Sequence, residues 1–244
     1  MTSIVKENIR IKENYYKVLE NIRKVAIDSG RRPGEVRLVV VTKGHSLEKA
    51  LQVVEAGARL LGENYVEEAL PKIEILSNYS ELEWHMIGHV QSRKARSVVE
   101  HFHCVHSVDS VKLAMRLDRF AAEFNKVIPV LFECNVSGEE TKFGWKAWKE
   151  EEWGELLVQL EPLLHLNHIE VRGLMTMAPY SDNPEESRPY FQRLKRLRDY
   201  LANHFNDVNW SELSMGMSND YEVAIQEGAT LVRIGTAILG ERKP

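Results

Sequence analysis

The chain has 244 residues, of which 43% are hydrophobic and 28% charged, an ordinary globular balance with enough apolar material for a sizeable core. Its 32 basic and 36 acidic residues leave a formal net charge of −4, and without a long basic run the composition argues against a nucleic-acid binder. The two cysteines, Cys104 and Cys134, lie in separate short apolar stretches with no partner at metal-ligand spacing, and they read as buried thiols in a reducing compartment.

In chain order, the N-terminus from Met1 to Glu7 carries no apolar signal core, and the longest continuous apolar strand, Leu38 to Val41, is far too short to cross a bilayer. A cytoplasmic protein is expected. A long amphipathic segment from Ile4 to Asp28 predicts an N-terminal helix within residues 1–30. The strand Val36–Thr42 follows and leads into Lys43. Ser46 is a suitable N-cap for a helix with Leu47, Ala50, Leu51 and Val54 on one side. Strands are expected at Arg59–Gly62, Glu83–Gly88 and His103–His106. Asp109 then caps a helix carrying Val111, Ala114, Leu117, Ala121 and Phe124. Strands at Pro129–Asn135 and His168–Met175 precede a helix with Phe191, Leu194, Leu197 and Leu201. Its cluster Arg193, Lys195, Arg196 and Arg198 reads as a solvated helical face. The last strands are Trp210–Ser214 and Leu231–Gly235.

Strand–helix alternation repeated this often implies parallel strands joined by right-handed crossovers. Eight such strands fit an α/β fold of the closed (β/α)8 TIM type. The expected domain is single, residues 1–244, with the barrel over 36–240 and an extra helix before it. An open doubly wound sheet shares the alternation. The first βα turn, Thr42-Lys43-Gly44-His45-Ser46, however, lacks the GxGxxG fingerprint of a dinucleotide fold, and the barrel is favoured. Only about nine residues follow the last strand, too few for a full eighth helix. The N-terminal helix is expected to fill part of that gap.

Barrel sites are built where strands end and βα loops begin. That rule selects Lys43, then Gly62-Glu63-Asn64-Tyr65, Trp84-His85 and Ile87-Gly88-His89, and finally two glycine-containing segments. These run from Ser214 to Asp220 and from Arg233 to Thr236. Phosphates in barrels bind in the loops after strands seven and eight, where small residues let backbone N–H groups close on the anion. Met217-Ser218, read as opening a helix, and Gly235-Thr236 after the next strand match that description. Either loop alone reads equally well as a glycine-assisted turn; their adjacency favours the anion. Lys43 ends the first strand at the barrel mouth, where partial desolvation and a cationic neighbour would lower its pKa toward imine chemistry. A phosphate cradle, an inward lysine and Arg233 together suggest an aldehyde with a phosphate tail and an aromatic ring. His101, His103 and His106 are close in sequence, but no carboxylate or cysteine completes a ligand set at suitable spacing. No metal site is expected from them.

The motifs Val41-Thr42-Lys43, Gly62-Glu63-Asn64-Tyr65, Trp84-His85-Met86-Ile87-Gly88, Lys142-Phe143-Gly144, Arg172-Gly173-Leu174-Met175, Leu213-Ser214-Met215-Gly216-Met217-Ser218 and Val232-Arg233-Ile234-Gly235-Thr236 occur in this order between Val36 and Gly240. In them the chain resembles the pyridoxal-phosphate homeostasis proteins, relatives of the N-terminal barrel of alanine racemase. The resemblance implies pyridoxal 5′-phosphate held as a Schiff base on Lys43. It places Asn64 near the ring hydroxyl and Arg233 by the pyridine nitrogen. Ser218, Gly235 and Thr236, with the backbone at Met217, would hold the phosphate, and Ser214 and His85 would line or brace the pocket. The chain departs from the family pattern at Gly44-His45-Ser46 and at Val90-Gln91-Ser92-Arg93-Lys94.

An arginine beside the ring nitrogen cannot lose its proton at working pH, so it favours a neutral ring and weakens carbanion stabilisation. Racemases of this fold also place arginine there, but they add a β-domain with a catalytic tyrosine, for which a chain ending at Pro244 leaves no room. An acid or base on the second cofactor face is then missing unless Tyr65 or His85 supplies it. The expected function is a non-catalytic carrier in intracellular vitamin B6 homeostasis, with PLP-dependent apoenzymes as recipients and no membrane or nucleic-acid partner. A small PLP-dependent amino-acid racemase is the alternative. A cofactor-free phosphate enzyme, with Lys43 attacking a substrate carbonyl, would have only His85 and Glu63 as an enolisation pair.

Overall fold

The computed structural model describes residues 3–242, with side chains from residue 10 onward. Residues 1, 2, 243 and 244 of the expected 1–244 span lie outside the described residues. Short apolar strands alternate with amphipathic helices along the chain: α1 (Ser3–Asp28), β1 (Arg37–Val41), α2 (Leu47–Glu55), β2 (Leu60–Glu63), α3 (Val66–Ile75), β3 (Glu83–Met86), α4 (Ala95–His101), β4 (Cys104–Val108) and α5 (Val111–Glu123). Then come β5 (Ile128–Asn135), β6 (Trp145–Lys146), α6 (Trp153–Leu164), β7 (Ile169–Met175), α7 (Arg188–His204), β8 (Glu212–Ser214), α8 (Tyr221–Gln226), β9 (Leu231–Ile234) and α9 (Thr236–Leu239).

Eight strands pair in parallel in the order β1-β2-β3-β4-β5-β7-β8-β9, and β9 returns to β1 through Arg37↔Leu231 to Val40↔Ile234, closing the (β/α)8 barrel. The two-residue β6, absent from the expected set, adds to the end of β5 at Cys134↔Trp145. Alternation along the strands sorts side chains to two faces. Val39, Leu131, Met175 and Leu231 pack together inside the barrel, while Val40, Leu61, Val105 and Leu213 join the larger core between sheet and helices.

Two local expectations are corrected. Ser46 caps α2 as expected, accepting from the Lys49 amide. Helix α5 is capped instead by Ser110, whose hydroxyl accepts from the Leu113 amide, and Asp109 is drawn away to His89. The histidine run also divides: His101 ends α4 and its Nδ1 meets the Ser97 carbonyl, while β4 begins only at Cys104.

The short C-terminal helix α9 leaves the flank that α1 covers. Ile11, Tyr15, Val18, Ile22 and Val25 recur at three- and four-residue spacing and are buried. The helix packs on α2, α8 and α9. Asn14 Nδ2 donates to the Ile238 carbonyl at 3.1 Å, and Asn21 Nδ2 lies 2.6 Å from the Tyr221 hydroxyl. Among the described residues no helix is long and apolar enough to cross a membrane.

Candidate functional site

A cavity of about 760 Å³ opens at the C-terminal ends of the strands. Lys43, Asn64 and Arg233 line it, together with Met217, Ser218, Gly235 and Thr236, so every residue expected to bind a cofactor faces one space.

Lys43 follows β1 in a tight turn that α3 holds from behind. The buried Lys72 ammonium donates to the Thr42 carbonyl at 2.8 Å and to Glu63 Oε1 at 2.7 Å, and Glu68 accepts from the Gly44 amide. Burial, and then the charges of Arg242 and Arg233, push the Lys43 ammonium below the usual lysine range. A larger neutral fraction makes it a better nucleophile toward a carbonyl.

Asn64 stands where β2 enters its loop, and the close approach of Gly88 sets its position. A Cβ at residue 88 would lie 2.6 Å from Asn64 Cα, which only glycine avoids. Asn64 Oδ1 is buried with no hydrogen-bond partner among the described residues. Such an acceptor is costly unless a bound group donates to it.

The loop after β8 turns at Gly216, whose φ of +92° is open to glycine at little cost. Helix α8 starts three residues beyond Ser218, at Tyr221, with Asp220 at its N-cap, so Met217-Ser218 belong to the turn rather than to the helix opening. The Met217 amide already donates to Asp220 Oδ1 at 2.7 Å, and an anion contact there has to share that donor. Ser218 Oγ accepts from the Ala237 amide at 3.4 Å, joining the β8 and β9 loops into one rim.

Arg233 is buried at the end of β9, donating through NH1 to Ser214 Oγ at 2.6 Å and through NH2 to the Thr176 carbonyl at 2.9 Å. Further N–H donors of its fork remain. Burial lowers its pKa to about 10, so it stays charged at neutral pH. Behind it, Ser214 Oγ meets His106 Nδ1 at 2.9 Å, and His106 Nε2 meets His85 Nδ1 at 2.8 Å. Ser214 and His85 therefore brace Arg233 and do not line the cavity. Burial, then the neighbouring charges of His85 and Arg233, hold His106 well below the ordinary histidine range, in its neutral form.

Glu133 escaped the sequence reading, and the partners of His106 and His89 did too. Glu133 lines the cavity, its carboxyl pushed up to about 7 by burial and then by Asp109. The one acidic residue in the apolar run Val130–Cys134 was its visible signal. His106 was expected to be satisfied or exposed. It is satisfied, but its partners come from other strands. His89 bonds Asp109 at 2.8 Å and stacks on Phe143 with ring centroids 3.8 Å apart, beside the exposed Tyr65 at the same rim. Glu63, in contrast, turns away from the cavity toward Lys72, and His85 lies deeper in the barrel. The enolisation pair of a cofactor-free enzyme is not assembled.

Residues 14–243 match the family model described as the alanine racemase N-terminal domain. A pyridoxal phosphate homeostasis protein of Aquifex aeolicus is 43% identical over 231 residues, covering 95% of this chain and 98% of that protein. The chain belongs to the pyridoxal phosphate homeostasis protein family. Another member, from Synechocystis, is 41% identical over 210 residues, covering 86% of this chain and 93% of its own. The solved structure of PipY from Synechococcus elongatus with PLP bound aligns with this family member at a TM-score of 0.79 and 34% identity, over 91% of this chain and 100% of that one. An alanine racemase of Clostridium difficile, 15% identical with a TM-score of 0.68, shares the fold over 58% of its length.

Proposed function

We propose that this chain binds pyridoxal 5′-phosphate as a Schiff base on Lys43 and acts as a non-catalytic carrier that buffers the cofactor and delivers it to PLP-dependent apoenzymes. The observation that carries this reading is the convergence of Lys43, the partnerless Asn64 Oδ1, Arg233 and the Ser218/Thr236 rim on one cavity. The PLP-bound relative supports the same ligand class.

The residues fit the group. Asn64 offers a buried acceptor to the ring hydroxyl, and Arg233 offers a charged donor to the pyridine nitrogen. Ser218, Gly235 and Thr236 offer hydroxyls and amides to the phosphate, with the Met217 amide shared with Asp220. When bound, the cofactor supplies an electrophilic carbonyl and a conjugated ring. The chain supplies a lysine with a lowered pKa and a donor-only ring partner, which would favour an unprotonated nitrogen and a weak electron sink.

The test is the visible spectrum of the purified chain incubated with the cofactor, before and after borohydride, for wild type and Lys43→Ala. A visible band that borohydride bleaches, present only with Lys43, supports the reading. A chain that stays colourless with added cofactor overturns it. The carrier half is tested separately, by following α-proton exchange of amino acids in heavy water. Steady exchange would replace the carrier with the racemase alternative.

A further inference from the structure

Deeper in the barrel, the described residues bring together a set of ligating atoms that meets the cofactor cavity through Ser214 and Arg233. His85 on β3 and Cys104 and His106 on β4 are all buried, and one ligand atom from each lies within 4.8 Å of the others. The register that pairs His85 with Cys104, followed by the two-residue step to His106, places all three inside the barrel. His85 Nδ1 and His106 Nε2 face each other at 2.8 Å.

The remaining nitrogen of each imidazole has an outer partner. His85 Nε2 lies 3.4 Å from Glu83 Oε2, and His106 Nδ1 lies 2.9 Å from Ser214 Oγ. Carboxylate and hydroxyl partners of this kind fix which ring nitrogen is left for a metal. A second cavity, of about 250 Å³, opens at the N-terminal ends of the strands, away from Lys43. His85 and Cys104 line it, with Glu83 and Glu212 balanced by Arg37 and Arg172, and it gives an ion a path from the strand ends to the ligands.

We propose that His85, Cys104 and His106 form a binding site for a divalent transition-metal ion of borderline softness, zinc above others. Two imidazoles and one thiolate make a three-ligand set, and the cavity leaves a fourth position for water. Tetrahedral zinc with Zn–N bonds of ~2.0–2.1 Å separates two nitrogens by roughly 3.3 Å, so the facing pair opens by about half an ångström. The ion takes the place of the hydrogen between them. His106 then carries its proton on Nδ1 and donates to Ser214, whose second lone pair still accepts from Arg233. His85 keeps its proton on Nε2, toward Glu83. Cys104 releases its thiol proton to solvent, so each ion bound liberates one proton. The site adjoins the cofactor cavity through Ser214 and Arg233, but the proposal does not rest on the cofactor reading.

The experiment measures metal content of the full-length chain after chelation and dialysis against micromolar free zinc. It uses wild type, Lys43→Ala, Cys104→Ser and Glu83→Gln, with melting in chelator as a folding control. Wild type and Lys43→Ala are expected to retain one zinc per chain and Cys104→Ser none. Glu83→Gln keeps all three ligands and is expected to bind about 10- to 100-fold more weakly. Cobalt(II) on Lys43→Ala should add a near-ultraviolet thiolate band that is absent when Cys104→Ser is combined with it. A wild-type chain that retains no zinc overturns the proposal. So does a folded Cys104→Ser chain that holds zinc as tightly as wild type. Because Lys43→Ala is expected to bind zinc normally, failure here and failure of the cofactor reading are distinguishable.

Discussion

Buried on α3, the Lys72 ammonium touches Glu63 Oε1, Glu68 Oε1 and the Thr42 carbonyl, while Glu63 Oε1 also accepts from the Thr42 hydroxyl at 2.6 Å. Glu63 Oε2 has no partner among the described residues, and burial raises the carboxyl's pKa even beside Lys72. Removing one partner of such a pair strands the other charge. Lys72→Met is expected to cost about 3–5 kcal/mol in denaturant unfolding, and adding Glu63→Leu should restore much of it. Glu133 has the opposite character, a cavity carboxyl with no ion pair among the described residues, where Arg233 offsets burial only in part. Its folded pKa of about 7 exceeds the ordinary 4.5, so between those values the folded chain holds a proton that the unfolded chain has released. Stability therefore falls as pH rises through that window, by roughly 3 kcal/mol in total. Glu133→Gln should flatten this part of the melting-temperature profile and be the more stable chain at pH 8.

At the level of elements, the connection from β8 to α8 joins fold to site. Gly216 has a positive φ, and a Cβ there would lie 2.6 Å from Ala224 Cβ and 2.9 Å from Tyr221 Cα, both on the helix it must approach. Its carbonyl also accepts from the Arg233 amide at 3.0 Å. Gly216→Ala is expected to cost at least about 1–3 kcal/mol and to loosen cofactor retention by moving the Ser218 rim. Chemical unfolding and retention of the visible band after gel filtration measure the two effects. The start of α5 carries a related lesson. Asp109 and Ser110 are both good caps, and sequence preference does not separate them. Tertiary structure does, because His89 claims the Asp109 carboxylate and leaves the hydroxyl for the helix.

For the whole molecule, α1 covers the flank beside the four-residue α9. The barrel's outer surface near α2, α8 and α9 is apolar, and with only four residues in α9 it is α1 that covers it. Ile22 is 3% exposed within that contact. Ile22→Ala should cost about 2–5 kcal/mol in unfolding free energy, through lost burial and a residual cavity. The cofactor spectrum at room temperature should be unchanged, because the residue lies on the far side of the sheet from Lys43.

The closed barrel, the N-terminal helix and the cavity-lining residues were legible in the sequence because each depends on chain-local patterns. Periodicity distinguishes strand from helix, and a barrel sends the C-terminal end of every strand to one mouth. Lys43, Arg233 and the Ser218 and Thr236 loops could therefore be read from position, whereas Asn64 was singled out within 62–65 by the family resemblance. Which of Glu63 and Asn64 faces the cavity was left open by the sequence, and the structure turns Glu63 toward Lys72. What only the tertiary structure decided are meetings across strands far apart in the chain. Arg233, Ser214, His106 and His85 come from β9, β8, β4 and β3, and their chain exists only because the barrel closes. The pKa of Glu133 belongs to the same class, since burial and the neighbouring charge of Asp109 are properties of packing rather than of sequence spacing.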